Sequence, residues 1–352
     1  MAVYDINGNL LAGGSGGSSD INCKIIAHRG YHVTAKQNTI SAFKAAAEAG
    51  FSWIEIDIRK TVDGIYVMAH DATVTLYNNG TATSVTIASS NYSTIKNYTW
   101  DSAGQYKLCT LQAVFNAMKV YDMKMICDRK SGTNAEIMEI ASLCGAVDRV
   151  MLSYTSYSSA LSDADLLNKY DNVPIRVWAT DNTYESYLQL KEAISNPIYA
   201  DVNATNVTSN TSLNIHLACG VPIIFSGCTT ANTSIWQVLA SGVMANADLN
   251  ITYEQFYDYL DVDYDHATTI APSTNSVSVS VNGTQALTAS SDYSGAGGYV
   301  YAYTLDPTVA TVTQSTYGQS VSLTVTGKKA GTTTLRLFDG CGEIVNIPVT
   351  VS

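Results

Sequence analysis

The stretch KIIAHRGYHVTAKQNTISAFKAAAEAGFSWIEIDIRKTVDGIYVMAHD, residues 24–71, decides the fold. It opens with a β-rich run at Lys24–His28, continues with an amphipathic segment at 39–50 and reaches a second β-rich run at Trp53–Arg59. In the amphipathic segment the apolar residues recur at helical spacing, and Gly50 supplies a C-terminal stop. A strand, a helix and a strand in succession predict two parallel strands joined by a crossover helix.

The alternation of β-rich and amphipathic segments continues to about residue 250. Eight β-rich runs occur, at Lys24–His28, Trp53–Arg59, Lys124–Asp128, Arg149–Ser153, Ile175–Ala179, Pro197–Val202, Pro222–Phe225 and Gly242–Asn246. Eight such units predict a (β/α)₈ TIM barrel of the α/β class. A doubly wound open sheet is the alternative, but no GxGxxG sequence follows the first strand. Residues 72–107, rich in Thr, Ser, Asn and Tyr, are interpreted as an insertion on the rim of the barrel.

The composition changes beyond Ala271-Pro272, where the chain becomes rich in Val, Thr, Ser and Gly and nearly free of charge. Runs such as Val277–Val281 and Val321–Val325 alternate with period two, which is typical of half-buried antiparallel strands. About 80 residues of this kind predict a small all-β sandwich, and the segment resembles a bacterial Ig-like module. The predicted organisation is a flexible leader at 1–20, the barrel at 21–260, a linker at 261–272 and the Ig-like sandwich at 273–352.

The overall composition excludes several classes of protein. The chain has 352 residues, of which 46% are hydrophobic, so wholesale disorder is excluded. A net charge of −11 opposes binding to nucleic acid. No apolar run reaches the roughly 18 residues of a membrane span. Seven cysteines without a CxxC pair argue against a zinc site or a disulfide framework. No signal peptide is visible at the N-terminus.

Two acidic side chains of the second strand are predicted to point into the barrel. Because side chains alternate along a strand, the three isoleucines of the WIEIDIR run share one face, and Glu55 and Asp57 share the other. Neighbouring carboxylates repel each other, so they require a cation, a proton or strong donors. Carboxylate oxygens suit Mg²⁺ or Ca²⁺, and Asp128 at the end of the third strand is the candidate third ligand. An edge strand with solvated acids is the alternative, which the flanking isoleucines disfavour.

Basic side chains occur at the same strand ends. His28 and Arg29 end the first apolar run, and His70 ends a later one. Because the carboxyl ends of barrel strands form the face that carries active sites, the two histidines are a candidate acid–base pair. Lys130 shares a face with Asp128 and is a candidate phosphate-binding ammonium. A cavity that combines these groups with a divalent cation suits an anionic ester.

The motifs within residues 28–71 resemble the signature of the glycerophosphodiester phosphodiesterase family. The matching elements are His28-Arg29-Gly30, Gln37-Asn38-Thr39, Ala42-Phe43, Gly50, Glu55, Asp57, Thr61, Asp63-Gly64 and His70-Asp71. Weaker similarity continues through Leu108–Gln112, Asp128–Lys130 and Gly242–Asp248, so that the resemblance covers roughly residues 21–255. The resemblance implies a (β/α)₈ barrel and a metal-dependent phosphodiesterase that hydrolyses glycerophosphodiesters.

The resemblance also implies a role for the acids and the histidines. Glu55, Asp57 and Asp128 would bind one divalent cation, Mg²⁺ or Ca²⁺. His28 and His70 would act as general base and general acid, in an order that the resemblance leaves open. A neighbouring glycerol hydroxyl would attack the phosphorus and give a cyclic phosphate, which water would then open.

Three further positions are expected to contact the substrate. By resemblance, Arg29 and Lys130 would hold the phosphoryl oxygens. Trp178, on the fifth strand, is expected to form part of the pocket wall, with Arg176 and Thr180 on its face. The substrate would be a small glycerophosphodiester or a polymeric glycerol phosphate of the teichoic-acid type.

The sequence departs from the family pattern at three positions. Gln37 stands where the family has Glu, which removes one negative charge near the site. Asp128 stands where the family has Glu and is shorter by one methylene. Phe225 stands where the family often has Trp. Two alternatives follow, namely a catalytically impaired module that binds glycerophosphate and a sphingomyelinase D-like phospholipase, which resembles this chain in using Asp at position 128.

The remaining predictions concern residues and settings outside the motif. His32 lies near the predicted mouth, and His216 and His266 are expected on the surface. Trp236 is expected to pack within a helix. The Ig-like module indicates an extracellular, cell-surface or virion-associated setting in which it contacts a surface or another protein. Without a visible signal peptide, a cytoplasmic location stays open.

Overall fold

The structure, a computed structural model, describes residues 3–4, 10–12, 24–33, 35–178, 183–203, 211–227, 240–245, 267–316 and 318–352. Up to residue 245 the strands are, in chain order, β1 (Val3–Tyr4), β2 (Leu10–Ala12), β3 (Lys24–His28), β4 (Trp53–Lys60), β5 (Tyr66–Met68), β6 (Thr73–Asn78), β7 (Thr81–Thr86), β8 (Lys124–Arg129), β9 (Val150–Tyr154), β10 (Ile175–Trp178), β11 (Ile198–Asn203), β12 (Ile223–Ser226) and β13 (Ala240–Ala245).

Eight of these strands form a closed parallel barrel. Strands β3, β4 and β8 to β13 each pair in parallel with their neighbours, and β13 pairs with β3 to close the ring. Each of the eight β-rich runs in the sequence corresponds to one barrel strand, with ends that differ by at most two residues. The predicted (β/α)₈ barrel is therefore confirmed.

The alternation of side chains along each strand separates two apolar regions. In β3, Ile25 and Ala27 belong to the outer core, where the sheet meets the helices. Ile26 belongs to a second cluster, which includes Trp53 of β4 and Ile126 of β8. This second cluster fills the interior of the barrel, as expected when alternate strand residues point inward.

The helices lie between the barrel strands. They are α1 (Ile40–Glu48), α2 (Tyr92–Ile95), α3 (Leu111–Lys119), α4 (Asn134–Cys144), α5 (Tyr157–Leu161), α6 (Ala164–Lys169), α7 (Tyr184–Ala193) and α8 (Thr211–Ala218). Threonine oxygens cap α1, α3 and α4, since Thr39, Thr110 and Thr133 each accept the backbone N–H three residues further on. No helix of the described residues is both long enough and apolar enough to cross a membrane.

The insertion after β4 forms a small subdomain on the barrel. Strand β5 pairs antiparallel with β4, and β6 and β7 form an antiparallel hairpin with its own small core, which includes Leu76 and Ile95. The Ala69 N–H donates to the Asp57 carbonyl at 3.0 Å. This hydrogen bond ties the chain just before His70 to the carboxyl end of β4.

The C-terminal region is a sandwich of two four-stranded sheets. Its strands are β14 (Ile270–Pro272), β15 (Val277–Val279), β16 (Thr284–Ser291), β17 (Tyr301–Thr304), β18 (Ala310–Gln314), β19 (Ser320–Gly327), β20 (Gly331–Phe338) and β21 (Ile344–Val351). The orders are β14-β16-β19-β18 and β15-β21-β20-β17, with alternate residues buried between the sheets. This arrangement confirms the predicted Ig-like sandwich, whose first strand begins three residues before the predicted boundary.

The structure differs from the sequence-based expectations at two places. Strands β1 and β2 pair antiparallel, so part of the predicted leader has regular structure. The prediction that His216 lies on the surface is wrong. His216 is fully buried on α8, where its Nδ1 lies 2.7 Å from the Tyr157 hydroxyl. Burial lowers its pKa to about 3, so it is neutral there. Thr180, Trp236 and His266 lie outside the described residues.

Candidate active site

Three buried carboxylates converge at the carboxyl ends of two neighbouring strands. Glu55 and Asp57 lie on β4, and Asp128 lies opposite Asp57 on β8. Each of the three offers an oxygen, and these oxygens all lie within 4.8 Å of one another. The strand alternation that buries the β4 isoleucines in the outer core directs the two β4 acids into the barrel.

Two cations that directly follow barrel strands pair with this acidic cluster. Arg29 Nε lies 3.0 Å from Asp57 Oδ2, and Lys130 Nζ lies 3.2 Å from Asp57 Oδ1 and 3.0 Å from Asp128 Oδ2. Burial lowers the pKa of Lys130, but the charges of Asp128 and Asp57 outweigh burial and raise it above its ordinary value. Lys130 is therefore charged at neutral pH.

The loop after β3 places Arg29 by means of unusual backbone angles. Arg29 has φ +60° and Gly30 has φ +81°, so the chain turns sharply at the end of the strand. A Cβ atom on Gly30 would lie 2.8 Å from the Ala42 carbonyl carbon, so glycine lets this turn pack against α1. The turn also directs the Arg29 N–H to Glu55 Oε2 at 3.3 Å.

Asn38 also belongs to the site, although no role was predicted for it from the sequence. Its Nδ2 donates to Asp57 Oδ2 at 2.8 Å, and its Oδ1 accepts the Asp57 backbone N–H at 3.1 Å. Asn38 has φ +56°, a conformation that asparagine adopts more readily than most residues. Its position before the cap of α1 was the available signal, and its double contact fixes the Asp57 carboxylate.

Gln37 contacts the same arginine from the other side. Its Oε1 accepts a hydrogen bond from Arg29 Nη1 at 3.1 Å. The amide therefore supplies the oxygen that a glutamate would offer here, without the charge.

Glu55 is the acid of the cluster with the least cationic support. Among the described residues, only one basic side chain approaches its carboxylate within ion-pair distance, namely His28, whose Nε2 lies 3.8 Å from Oε2. Burial and the neighbouring charges of Asp57 and Asp128 raise the pKa of Glu55 well above its ordinary value. A cation beside Glu55 would remove the cost of ionising it.

The two histidines both lie near strand ends that carry the acidic cluster. His28 is opposite Glu55, and the residue before His70 is hydrogen-bonded to the Asp57 carbonyl. His28 ends β3, opposite Glu55 in the strand register, and lines the cavity. The His70 ring lies beyond β5, and its Nδ1 is 2.8 Å from Asp71 Oδ1. Because an ionised carboxylate can only accept, this contact assigns the proton to Nδ1 and leaves Nε2 of His70 for other chemistry. The His70 carbonyl accepts two hydrogen bonds from the Arg59 side chain.

A buried ionic network forms the opposite wall of the site. Arg176 on β10 is fully buried, with Nη2 3.1 Å from Asp128 Oδ2 and Nη1 3.1 Å from Asp201 Oδ2. Asp201 on β11 also accepts a hydrogen bond from Ser226 Oγ at 2.7 Å. Arg176 was expected on the pocket wall, whereas Asp201 and Ser226 were not predicted as site residues. An acid within an otherwise apolar strand was the signal for Asp201.

The cavity between these walls has a polar side and an apolar side. Its lining residues are His28, Glu55, Asp128, Arg176, Trp178, Ser226, Gly227 and Met244, and its volume is about 50 Å³. The Trp178 ring lies over the Arg176 guanidinium, with 4.8 Å between the guanidinium carbon and the ring centre. The structure thus places Trp178 on the cavity wall, beside the candidate metal ligands.

The donor set fits a divalent cation. Asp57 Oδ1 is buried and accepts no hydrogen bond from the described residues, although Lys130 Nζ is nearby. Burial raises the pKa of Asp128, but the charges of Arg176 and Lys130 outweigh burial and hold it below its ordinary value, so Asp128 is ionised. Clustered carboxylate oxygens are the ligands that Mg²⁺ and Ca²⁺ prefer. Glu55, Asp57 and Asp128 could therefore hold such an ion.

A closed parallel barrel with acids and cations gathered at the carboxyl ends of its strands places the chain among the (β/α)₈ barrels, whose active sites lie at that end. Within that class, the profile of the glycerophosphoryl diester phosphodiesterase family matches residues 28–172. The profile of the bacterial Ig-like domain (group 2) matches residues 266–345. The chain thus resembles the glycerophosphoryl diester phosphodiesterase family over residues 28–172 and a bacterial Ig-like domain over residues 266–345.

Two curated relatives match a short part of the chain. A glycerophosphodiester phosphodiesterase of Caldanaerobacter subterraneus subsp. tengcongensis is 48% identical over 56 residues, which are 16% of this chain and 23% of that protein. Glycerophosphodiester phosphodiesterase 1 of Homo sapiens is 46% identical over 56 residues, 16% of this chain and 17% of that protein. The alignments thus span less than a quarter of the length of these curated relatives.

The fold has a solved counterpart over most of its length. An Oleispira antarctica phosphodiesterase, crystallised with the product sn-glycerol-3-phosphate, superposes with a TM-score of 0.52 and 18% identity. The match covers 68% of this chain and 96% of that one. At this identity the likeness establishes the barrel fold.

Proposed function

We propose that the barrel is a metal-dependent phosphodiesterase that hydrolyses glycerophosphodiesters to glycerol 3-phosphate and an alcohol. The observation that carries the proposal is the convergence of Glu55, Asp57 and Asp128 beside Arg29 and Lys130. Three acids give a divalent cation its ligands, and two basic side chains beside it suit the oxygens of a phosphodiester. The family match and the named relatives support the same reaction.

The roles of the side chains follow from their chemistry. The bound ion, held by Glu55, Asp57 and Asp128, would withdraw charge from a phosphoryl oxygen. Arg29 and Lys130 hold the other phosphoryl oxygens and stabilise the charge that develops on them. Both side chains form an ion pair with Asp57, so their positive charges lie on the same carboxylate.

Two proton transfers accompany the displacement at phosphorus. One histidine of the pair His28 and His70 takes the proton of the attacking hydroxyl while its oxygen forms a bond to phosphorus. The bond from phosphorus to the leaving alkoxide breaks, and the other histidine protonates that alkoxide. When the attacking hydroxyl belongs to the neighbouring glycerol, a cyclic phosphate forms, and water then opens it by the same transfers in reverse order.

The substrate class extends to polymers of glycerol phosphate. The diester linkage in a small glycerophosphodiester and in a teichoic-acid-type polymer is the same, so both are eligible. The Ig-like domain favours a cell-surface, virion-associated or otherwise extracellular setting, where it would contact a surface or another protein and where the polymer occurs. Trp178, on the cavity wall, would contact the part of the substrate beyond the phosphoryl group.

The reaction is tested by following glycerol 3-phosphate release from glycerophosphocholine with Mg²⁺, with Ca²⁺ and with EDTA. We expect turnover with a divalent ion and none with EDTA. Glu55→Gln should abolish turnover, whereas Glu139→Gln, which changes an exposed glutamate on α4, should leave it unchanged. His28→Asn and His70→Asn should each lower kcat by about 10²–10⁴-fold.

Two results would count against the proposal. Full activity in EDTA would remove the metal, and unchanged activity in both histidine variants would remove the proton transfers. If glycerol 3-phosphate raises the thermal unfolding temperature in the presence of each ion but no substrate turns over, the barrel is a binding module instead.

A further inference from the structure

Arg176 is a buried cation held between two carboxylates. Its two terminal nitrogens lie 3.1 Å from Asp128 Oδ2 and 3.1 Å from Asp201 Oδ2. Ser226 Oγ holds the other oxygen of Asp201, and Trp178 covers the guanidinium. All of these residues belong to barrel strands, so the guanidinium is fixed in place.

Asp128 is shared between this cation and the acidic cluster. Toward one side its carboxylate lies within 4.8 Å of the oxygens of Glu55 and Asp57, and toward the other it meets Arg176. In two-metal enzymes the ions lie about 3.5–4 Å apart, close enough for one carboxylate to bind both. Asp128 has the position of such a bridging carboxylate, with a guanidinium where a second ion would lie.

A guanidinium differs from a metal ion in ways that matter here. It is charged at every physiological pH, it pairs with two carboxylates at once, and a chelator cannot remove it. Without it, Asp128 and Asp201 would lose their shared cation inside the barrel. Buried carboxylates in that state take up a proton or a cation, or they destabilise the fold.

We propose that Arg176 acts as a fixed second cation, which fills the position between Asp128 and Asp201 that a second divalent ion would otherwise take. It thereby limits the barrel to one exchangeable ion. The inference builds on the proposed ion site at Glu55, Asp57 and Asp128. Arg176 is in this sense a positioning residue, because it acts through Asp128.

The test counts bound ions in the full-length chain. The protein is freed of metal with EDTA, the EDTA is removed, and MnCl₂ alone is added while free Mn²⁺ is followed by electron paramagnetic resonance. We expect one Mn²⁺ per wild-type chain and two per Arg176→Ala chain. Adding Asp201→Asn to Arg176→Ala should restore one, because the second position loses a ligand. Arg176→Lys should also bind one, since it keeps a fixed charge.

A matched control is available at the surface. Arg149 pairs with Asp122, whose side chain is exposed, so Arg149→Ala removes an arginine–aspartate pair away from the barrel interior. This variant should bind one Mn²⁺, like the wild type. The proposal is contradicted if folded Arg176→Ala binds a single ion, or if its second ion survives Asp201→Asn. It is equally contradicted if Arg176→Ala stays unfolded by circular dichroism at saturating Mn²⁺.

Failure of the proposed ion site would give a different pattern. The wild-type chain would then bind no Mn²⁺. If Arg176 is a fixed cation, Arg176→Ala would still bind one ion, and adding Asp201→Asn would abolish that binding. If Arg176 is not a fixed cation, Arg176→Ala would bind no ion. The two proposals can therefore fail separately.

Discussion

Gln37 departs from the pattern of the glycerophosphodiester phosphodiesterase family but accepts a hydrogen bond from Arg29. Its amide oxygen accepts from Arg29 Nη1 at 3.1 Å, and the same guanidinium reaches Asp57 through Nε at 3.0 Å. The arginine is thus oriented from two sides. Gln37 therefore keeps an acceptor oxygen for Arg29 and lacks the negative charge that a glutamate would carry.

Substitutions at Gln37 should separate charge from contact. Gln37→Glu keeps the acceptor, so we expect kcat/KM for glycerophosphocholine to change by less than about threefold. Gln37→Leu removes the acceptor and should lower kcat/KM about tenfold, since a hydrogen bond to a charged group contributes about 1.5–3 kcal/mol. Steady-state kinetics measures both, and an unimpaired leucine variant would show that the contact does not orient Arg29.

Glu55 should give the metal-free protein a characteristic pH dependence. Its pKa is raised in the folded state by burial and by Asp57 and Asp128, so its contribution to stability is present below about pH 4.5 and is lost as the pH rises through the folded pKa. With EDTA present, the thermal unfolding temperature should therefore fall more steeply with pH above that value in the wild type than in Glu55→Gln. Saturating Mg²⁺ should remove the difference, and identical profiles in EDTA would contradict the raised pKa.

Individual residues were predictable where one strand carries the information. The alternation in β4 is enough to place Glu55 and Asp57 inside the barrel, and the same reasoning applies to Asp128. The pairing of Arg176 with Asp201 depends on the register between β10 and β11. Both strands are distant in sequence from Asp128 on β8. No pattern within a single strand specifies that register, so the network became visible only in three dimensions.

At the scale of elements, periodicity predicted the barrel strands and the helix α1 to within a few residues. Their apolar faces are long and regular, so burial dominates local preferences. The insertion at 72–107 was predicted as an excursion, but its hairpin of β6 and β7 was not. The second strand of the hairpin, β7, shows no strict alternation, and the core of the subdomain is small.

The N-terminus of α4 illustrates how an element is fixed to the barrel. Glu136 lies in its first turn, where it pairs with Lys60 of β4 and accepts hydrogen bonds from Tyr66 of β5 and Thr133. Hydrogen bonds from these three residues, Lys60 first, lower the pKa of Glu136 to about 2. The loop that follows Lys130 is thereby held against β4 and β5.

Glu136→Gln should weaken this attachment. We expect a loss of about 1 kcal/mol at neutral pH, because the side chain is partly exposed and its ion pair is screened. Since the folded pKa lies below the ordinary value of 4.5, the stability from Glu136 is present above that pH and is lost as the pH falls toward 2. Urea unfolding at several pH values should show this loss in the wild type and not in the variant. A variant that keeps the loss would assign it to another acid.

At the scale of the whole molecule, the two domains share part of their apolar packing. Tyr301 of β17 is 1% exposed and belongs to the same apolar cluster as the outer core of the barrel. Its ring lies 5.6 Å from that of Phe338 on β20, which also packs against this cluster. The sandwich is therefore expected to support the barrel.

Tyr301→Ala should destabilise the barrel although the residue lies in the sandwich. All four tryptophans precede residue 260, so tryptophan fluorescence reports on the barrel alone. We expect the free energy of unfolding detected in this way to fall by about 3 kcal/mol, as for other large buried aromatic residues. Val281→Ala, at an exposed position of the sandwich, should leave it unchanged. An unchanged value for Tyr301→Ala would show that the barrel is stable without this contact.

The central claim is that Glu55, Asp57 and Asp128 bind one divalent ion at the mouth of the barrel. An anomalous difference map from crystals grown with Mn²⁺ tests this claim most directly. We predict a single peak at about 2.0–2.6 Å from an oxygen of each of the three carboxylates. A map with no peak there, or with the carboxylates bound only by Arg29, Lys130 and Arg176 at saturating Mn²⁺, would contradict it.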